Sequence, residues 1–585
     1  MPEQHERGSA NFPDWYPKWA SDFAELYFSG TTSMFTLHGN THDLVRSKGE
    51  KFVPLTHFLA QELFGQWDIV LYYDLSTGLR VMGGSDSQRQ MKMTQTFAKW
   101  VGQYEKIGKD PSVILNLLDK FIQKNVMVEE KSRLSVAVIL GHASFLAHRG
   151  DRSLKAGTHI VTLLNWATSP YVKRLNTAFV LVDSALSDMA ERIVGNPHAA
   201  SIEIPLPDAT TRHAYLEQLV GDDRDVSSFS DYSISSIADL TAGIGLTDLR
   251  VLVQGSIEGG RRLDEGRFRE LKKMLIERQA QGMLEFIEPK WGIDMVVGHE
   301  AAKNRLKEDA KLLKLGKLQS VPMGYLFCGP VGTGKSFLAV CAAGTMGIPL
   351  VKLKNFRGGL VGETEGNLER VLGVLRSMGP VVVVVDEADA QLGDRKSGGD
   401  SGVSGRVFGM IAEQMGDTRY RGKILWLLLT ARPDYLPIDL KRQGRAEVHM
   451  PLFYPTSDTE LRDMFVVLAK KLDTTLDPEG VPEIPEEKRG QLSGADIEGI
   501  LGRAWRKSLL AGYDCIQTMD LKEALDQFIP MAQSLEREVQ VLAAIIECTD
   551  QEFLPEAIEE RIVAYGGRTK VQERLNALKA VVDGN

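Results

Sequence analysis

The chain has 585 residues, too many for one hydrophobic core, so domains of ordinary size divide it into roughly three to five units. With 43% hydrophobic and 25% charged residues it has the composition of globular material, which excludes a disordered, collagenous or membrane-spanning chain. A formal net charge of -9 argues against broad binding along a phosphate backbone, so nucleic acid is not an expected partner.

The opening stretch, Met1 to Arg7, lacks the basic start and apolar run of a secretory signal, and no apolar run approaches the ~20 residues that cross a bilayer. A cytoplasmic protein with no membrane partner is expected. Further along, Met34 to Leu37 reads as a strand before the turn Leu37-His38-Gly39-Asn40-Thr41-His42, and Ser135 to Leu140 is a buried run that leads into Gly141-His142-Ala143-Ser144. Ala178 to Val182 and then Ile202 to Pro207, with Asp208 and Arg212, complete a first series of landmarks. His38 and His42 straddle a glycine turn with no cysteine nearby, so a remnant turn is expected there, not a metal site. A charged, helix-prone segment, Arg261 to Gln281, joins this half of the chain to the next.

The second half repeats the plan. Tyr325 to Cys328, Pro349 to Lys352, Val381 to Val385 and Ile424 to Leu429 are short apolar strands separated by helical stretches, the signature of a parallel α/β sheet with both faces covered. A helical region begins near Asp458, and the closing stretch Leu535 to Val582 carries apolar residues at helical spacing, for packing on that region or on a neighbouring chain. The four cysteines, Cys328, Cys341, Cys515 and Cys548, lack the close pairing of zinc ligands and are expected as reduced thiols.

The residues that carry chemistry lie in this second half. Gly329-Pro330-Val331-Gly332-Thr333-Gly334-Lys335-Ser336 fits the phosphate-loop pattern completely, follows a strand and opens a helix. Its glycines let successive backbone N–H groups ring phosphate oxygens, Lys335 adds a full charge for the β and γ phosphates, and the Ser336 hydroxyl is a magnesium ligand. Val381 to Val385 then runs into Asp386-Glu387-Ala388-Asp389, which sets two acids at the carboxyl end of a buried strand. Asp386 is the expected holder of Mg2+, and Glu387 the base that polarises the attacking water.

With these motifs in order, residues 291 to about 535 resemble a cassette of the AAA ATPases. Gly329 to Ser336 resembles its Walker A motif, Val381 to Asp389 its Walker B motif, Arg442-Gln443-Gly444-Arg445 the end of its second region of homology, and Gly494-Ala495-Asp496 its lid signature. The resemblance implies a P-loop NTPase-type parallel α/β sheet with a helical lid, preceded by a degenerate AAA-like α/β module. It implies hydrolysis of ATP with Mg2+ in a head-to-tail homo-oligomer, a hexamer, that remodels a protein client. Val297 and Gly298 would lie against adenine, with Phe337, Gly494 and Ala495 also on the nucleotide, while Arg442 and Arg445 would reach the nucleotide of the next subunit. Phe356, Leu360 and Val361 stand where the family places its substrate-gripping loop, but without the usual aromatic. A second departure is Ala431, which replaces the asparagine that orients water, leaving Thr430 as the substitute and favouring slow hydrolysis. A nucleotide-gated assembly scaffold is therefore the competing expectation, with a nucleic-acid remodeller behind it.

The expected organisation is residues 1–260 as a degenerate module, 261–290 as a helical linker, 291–456 as the large nucleotide domain, 457–535 as its lid and 536–585 as a helical tail. The first module lacks the lysine of the phosphate loop and has no acid matching Asp386 or Glu387, so it should bind neither phosphate nor magnesium.

Overall fold

The computed structural model describes residues 13, 15–83, 86–151, 153–221, 224–280, 282–354, 363–392, 401–530 and 535–582. Two units are resolved by their internal contacts. One comprises Met1–Gln281 with Gly359–Met378, and the other Gly282–Gly358 with Gly379–Asn585.

The first unit is built on β1 (Met34–Gly39), a small hairpin of β2 (Leu44–Arg46) and β3 (Phe52–Pro54), β4 (Ile69–Asp74), β5 (Gly78–Val81), β6 (Val136–Gly141), β7 (Thr177–Val182) and β8 (Ala199–Ile204). Apart from the hairpin these form one sheet in the order β5-β4-β6-β7-β1-β8, parallel except for the β4–β5 edge pair. Every residue of β4, β6 and β7 is buried, as expected of central strands covered on both faces. Phe23 of the helix Lys18–Phe28 packs on Phe35 with ring centroids 4.0 Å apart, and Trp166 stacks on Phe179 at 4.7 Å. Each such buried aromatic contributes roughly 1.5–3 kcal/mol through the apolar surface it removes from water. Helices Ala209–Val220, Ile234–Leu240, Leu246–Ile257 and Glu265–Gln279 follow the sheet. Strand β4, whose run is Ile69-Val70-Leu71-Tyr72-Tyr73, lies between the sequence landmarks Met34 to Leu37 and Ser135 to Leu140 and is an addition to them.

The second unit carries β9 (Leu284–Ile287), β10 (Gly324–Cys328), β11 (Leu350–Leu353), β12 (Val381–Val385), β13 (Ile424–Thr430) and β14 (Val448–Pro451) in the order β14-β10-β13-β12-β11-β9, parallel except for the β9–β11 edge. Strand β12 is five consecutive valines, all buried, whose β-branched side chains suit an extended backbone with neighbours on both faces. Its lid has a separate core of Leu461, Phe465, Leu492, Ile497, Ile500 and Leu501, fully buried. The lid helix Gly494–Leu510 starts from a capping box in which Ser493 and Asp496 satisfy each other's backbone N–H groups. The closing helix Leu535–Glu547 packs on β14 and on the turn Pro433–Tyr435 of the sheet domain, and its Arg537 donates to the carbonyls of Gly490 and Gln491 in the lid region at 3.2 Å each.

Candidate nucleotide site

The phosphate loop leaves β10 at Gly329, whose φ of +136° and closeness to the Leu452 carbonyl, 2.1 Å from where a Cβ would stand, admit only glycine. The loop runs into the helix Lys335–Met346, so the residues that the sequence placed on phosphates lie at a helix N-terminus. Lys335 Nζ donates to the carbonyls of Gly329 and Pro330 at 2.7 and 2.8 Å, folded back over its own loop. Burial pushes its ammonium down to about 8, against the opposing pull of Cys328, Asp386 and Asp389. Phosphate oxygens would replace those two carbonyls as partners and favour the charged form.

Asp386 and Glu387 follow directly from β12. Ser336 Oγ donates to Asp386 Oδ2 across 3.4 Å, which brings together the hydroxyl and carboxylate oxygens that a hard divalent cation prefers. Lys352 on β11, which no sequence motif marks, sets its Nζ 2.8 Å from the same Asp386 oxygen. Only the pairing of β11 with β12 reveals it. Glu387 holds a left-handed backbone with φ +49°, a conformation costly for a residue with a Cβ and concentrated at functional sites. Thr430 donates its hydroxyl to Asp389 at 2.6 Å, so it is engaged by that acid in this structure, and Arg432 N donates to the same hydroxyl oxygen at 2.9 Å.

Beside the loop lies a cleft of about 890 Å³, open to solvent, lined by Val297, Gly298, Phe337 and Gly494 among the residues expected on the base, and by Gly332, Thr333 and Gly334 of the loop. Ala495 does not line it. His299, also in the wall, is pushed down to about 4 by burial and stays neutral at pH 7. The lid touches the loop directly, with Gly494 N donating to the Gly332 carbonyl at 3.1 Å. Pro555, Ala557 and Ile558 of the closing helices form a further wall that sequence reasoning did not assign. The same closing segment reaches the loop through Gln540, which accepts from Val331 N at 3.2 Å.

Arg442 is 59% exposed at its side chain, 3.6 Å from Asp439, and so stands on the surface. Arg445 turns inward and donates to the Asp439 carbonyl at 2.7 Å, with its side chain 14% exposed. The turn that carries both is anchored by the closing segment: Glu547 accepts from Lys441 at 2.8 Å and stands 3.2 Å from His449 Nδ1. Burial opposes the Glu547 charge, but His449 and Lys441 outweigh it and hold the carboxyl below its ordinary value. Phe356, Leu360 and Val361 lie outside the described residues. His38 and His42 have different neighbours: His38 lies 3.0 Å from Glu369, while His42 stacks on His142. Among the described residues no cluster of three or more His, Cys, Asp or Glu could hold a metal ion.

A complete phosphate loop at the start of a helix, two acids at the end of the next strand but one in the sheet and a lid over a base-sized cleft define a P-loop nucleotide-binding protein. Residues 325–454 match the model of the ATPase family associated with various cellular activities, AAA. Residues 9–205 match the N-terminal Rossmann-like domain of AAA+ chaperones, and 210–281 their second helical domain. The chain belongs to the AAA ATPases, with a degenerate first module and an intact second cassette. It is 28% identical over 318 residues to the AAA domain-containing protein ycf46 of Trieres chinensis, a match over 51% of this chain and 60% of that relative. The match to the Cell division cycle protein 48 homolog of Archaeoglobus fulgidus is 26% over 335 residues, covering 52% of this chain and 44% of the relative. For the ATP-dependent zinc metalloprotease FtsH 2 of Salinibacter ruber it is 29% over 259 residues, 43% and 37% of the two chains. The chain thus spans less than two thirds of each of these relatives. No helix among the described residues is long and apolar enough to cross a membrane.

Proposed function

We propose that the chain is a magnesium-dependent ATPase that works in a cytoplasm-like compartment as a head-to-tail homo-oligomer, a hexamer, and remodels a protein client. The observation that carries this reading is the gathering of Lys335, Ser336, Asp386 and Glu387 at one sheet edge while Arg442 is left exposed on the surface. Lys335 and the loop N–H groups bind and orient the triphosphate, and Glu387 takes the proton of the attacking water. Ser336 and Asp386 would hold Mg2+, which supplies positive charge to the phosphates. Arg442, with Arg445 behind it, is proposed to complete the site of the adjoining subunit, where a guanidinium stabilises charge developing on the transferred phosphoryl group. Substrate contact is assigned to Phe356, Leu360 and Val361.

A second reading, a nucleotide-gated scaffold with slow hydrolysis, draws on one observation: Thr430 gives its hydroxyl to Asp389, and Ala431 beside it has no polar atom with which to orient water. Subunit mixing tests the first reading. Glu387→Gln chains should bind ATP yet turn over at least ~100-fold more slowly. Mixed with Arg442→Ala chains, they should regain activity at interfaces that pair an intact Glu387 with an intact Arg442. Mixtures as inactive as either variant alone would remove the shared site and leave the scaffold.

A further inference from the structure

The helix Glu363–Ser377 follows residues 355–362 in the chain and leads into β12, yet it belongs by its contacts to the first unit. Its partners there lie at the carboxyl ends of that unit's strands, the edge on which parallel α/β sheets bind ligands. Glu369 Oε1 is 3.0 Å from His38 Nδ1, next to the turn at the end of β1. Its other oxygen accepts from the backbone N of Ser187 at 3.2 Å, beyond β7. Glu365, 2% exposed, pairs with Arg149, which also holds Glu191. Arg370 donates to Ser184 Oγ at 3.2 Å, and Arg376 to both carboxylate oxygens of Glu203 at 2.6 Å.

The close approach is built into the sequence at Gly366. A Cβ there would stand 2.9 Å from Asp188 Oδ1 and 3.3 Å from Ala185 Cβ. Glycine weakens a helix interior, a cost that the close contact offsets. Leu368 and Leu375 of the same helix are fully buried.

We propose that the vestigial nucleotide edge of the first module is a binding seat for the helix Glu363–Ser377 of the same chain, with the carboxylates of Glu365 and Glu369 in the role that phosphate anions have in an intact module. The first module then holds one end of the link between residues 355–362 and the strand that presents Asp386 and Glu387, and loosening the seat changes turnover. The turnover arm rests on the ATPase reading; the seat does not.

Hydrogen exchange on the full chain tests it. In Gly366→Ala the seat is crowded, so amide exchange across residues 365–377 should rise at least ~10-fold, whereas a helix lying free gains helix propensity and exchanges more slowly. Glu369→Lys should raise exchange in the same peptides, and His38→Glu added to it should bring exchange back toward the parent. Each variant should bind ATP as the parent does while its turnover shifts at least ~3-fold. Slower exchange in Gly366→Ala, or no recovery in the double variant, overturns the seat. Unchanged turnover with a released helix overturns the coupling, and a parent without any turnover strikes the ATPase reading alone. If Gly366→Ala does not fold, as exchange in the lid helix Gly494–Leu510 would show, Arg149→Lys takes its place. It keeps the charge but loses the fork to Glu365 and Glu191, and unchanged exchange at 365–377 in that variant likewise overturns the seat.

Discussion

The two modules share a backbone and differ in what stands on it. Read from the same edge, the sheets run β8-β1-β7-β6-β4-β5 and β14-β10-β13-β12-β11-β9, position for position. Superposing Phe179 on Trp426 through their strand pairings sets Gly39 on Gly329, Gly141 on Asp386, His142 on Glu387 and Asp183 on Thr430. Both glycines have positive φ, and His142 keeps the left-handed backbone of Glu387, at +51° against +49°. Even a cross-link survives with its roles exchanged: Asp183 accepts from Ser144 N at 2.7 Å, where Thr430 donates to Asp389 at 2.6 Å. The difference is electrostatic. The turn after β1 supplies no lysine and instead buries Asp43, whose carboxylate accepts from Leu246 N and Thr247 N at the start of a helix, at 2.7 and 2.9 Å. An internal carboxylate thus caps the helix Leu246–Ile257 from the turn in which an intact module would hold phosphate. Backbone geometry outlasts chemistry because it is set by many strand contacts, whereas phosphate binding hangs on one or two charges.

The largest expected effect tests that contrast most directly. Lys335→Ala should weaken ATP binding to the whole chain at least ~100-fold, as measured by titration calorimetry, since the first module has no replacement. Stoichiometric binding left in this variant would show the first module to be competent and break the comparison.

Next in size is a pH effect peculiar to the second module. Because the Lys335 ammonium in the free protein titrates near 8, ATP affinity should fall by up to roughly tenfold per unit as the solution is taken from pH 8 toward 10. The stability of the free protein should show the opposite slope. With the folded value near 8 and the unfolded one near the ordinary lysine value of 10.5, the unfolded chain binds more protons between them, so this group's contribution to stability rises with pH there. Affinity independent of pH across this range would place the lysine in a wetter setting than the structure gives it.

A smaller effect should follow from the wall that the closing helices add to the cleft. Ile558→Asp sets a carboxylate at the edge of the base pocket and should raise KM for ATP about 5- to 10-fold with kcat nearly unchanged, an effect of roughly 1–1.4 kcal/mol. A fall in kcat alone would move the role of this segment to the arginine turn, through Glu547. The smallest effect concerns Lys352, which competes with a cation for Asp386 as a partly exposed ion pair. Lys352→Ala should lower the magnesium concentration for half-maximal turnover by about 2- to 5-fold. A rise would show that Lys352 assists the bound nucleotide.

Much of the second module was legible in its sequence because its signals are local. Gly329 to Ser336 is a strand-to-helix turn whose glycines, lysine and hydroxyl have fixed spacing, and Val381 to Glu387 is a β-branched run that ends in acids. The equivalence of the halves was also readable from the order of landmarks, which reflects strand order in a parallel sheet. Less local matters were not. Lys352 reaches Asp386, Ile558 reaches the base cleft and Glu547 reaches Lys441 only because distant segments pair in three dimensions, and no sequence spacing encodes those meetings. Strand β4 is hidden in the sequence because its isolated five-residue apolar run, Ile69 to Tyr73, carries no period that separates strand from buried helix. By itself, then, the sequence determined the fold class, the phosphate loop and the loss of its lysine in the first module, since short-range pattern and residue type suffice for those. Tertiary structure alone decided that Asp43 fills the vestigial turn, that the helix Glu363–Ser377 packs with the first unit and that the closing helices wall the base cleft, because burial and charge pairing act between residues far apart in the chain.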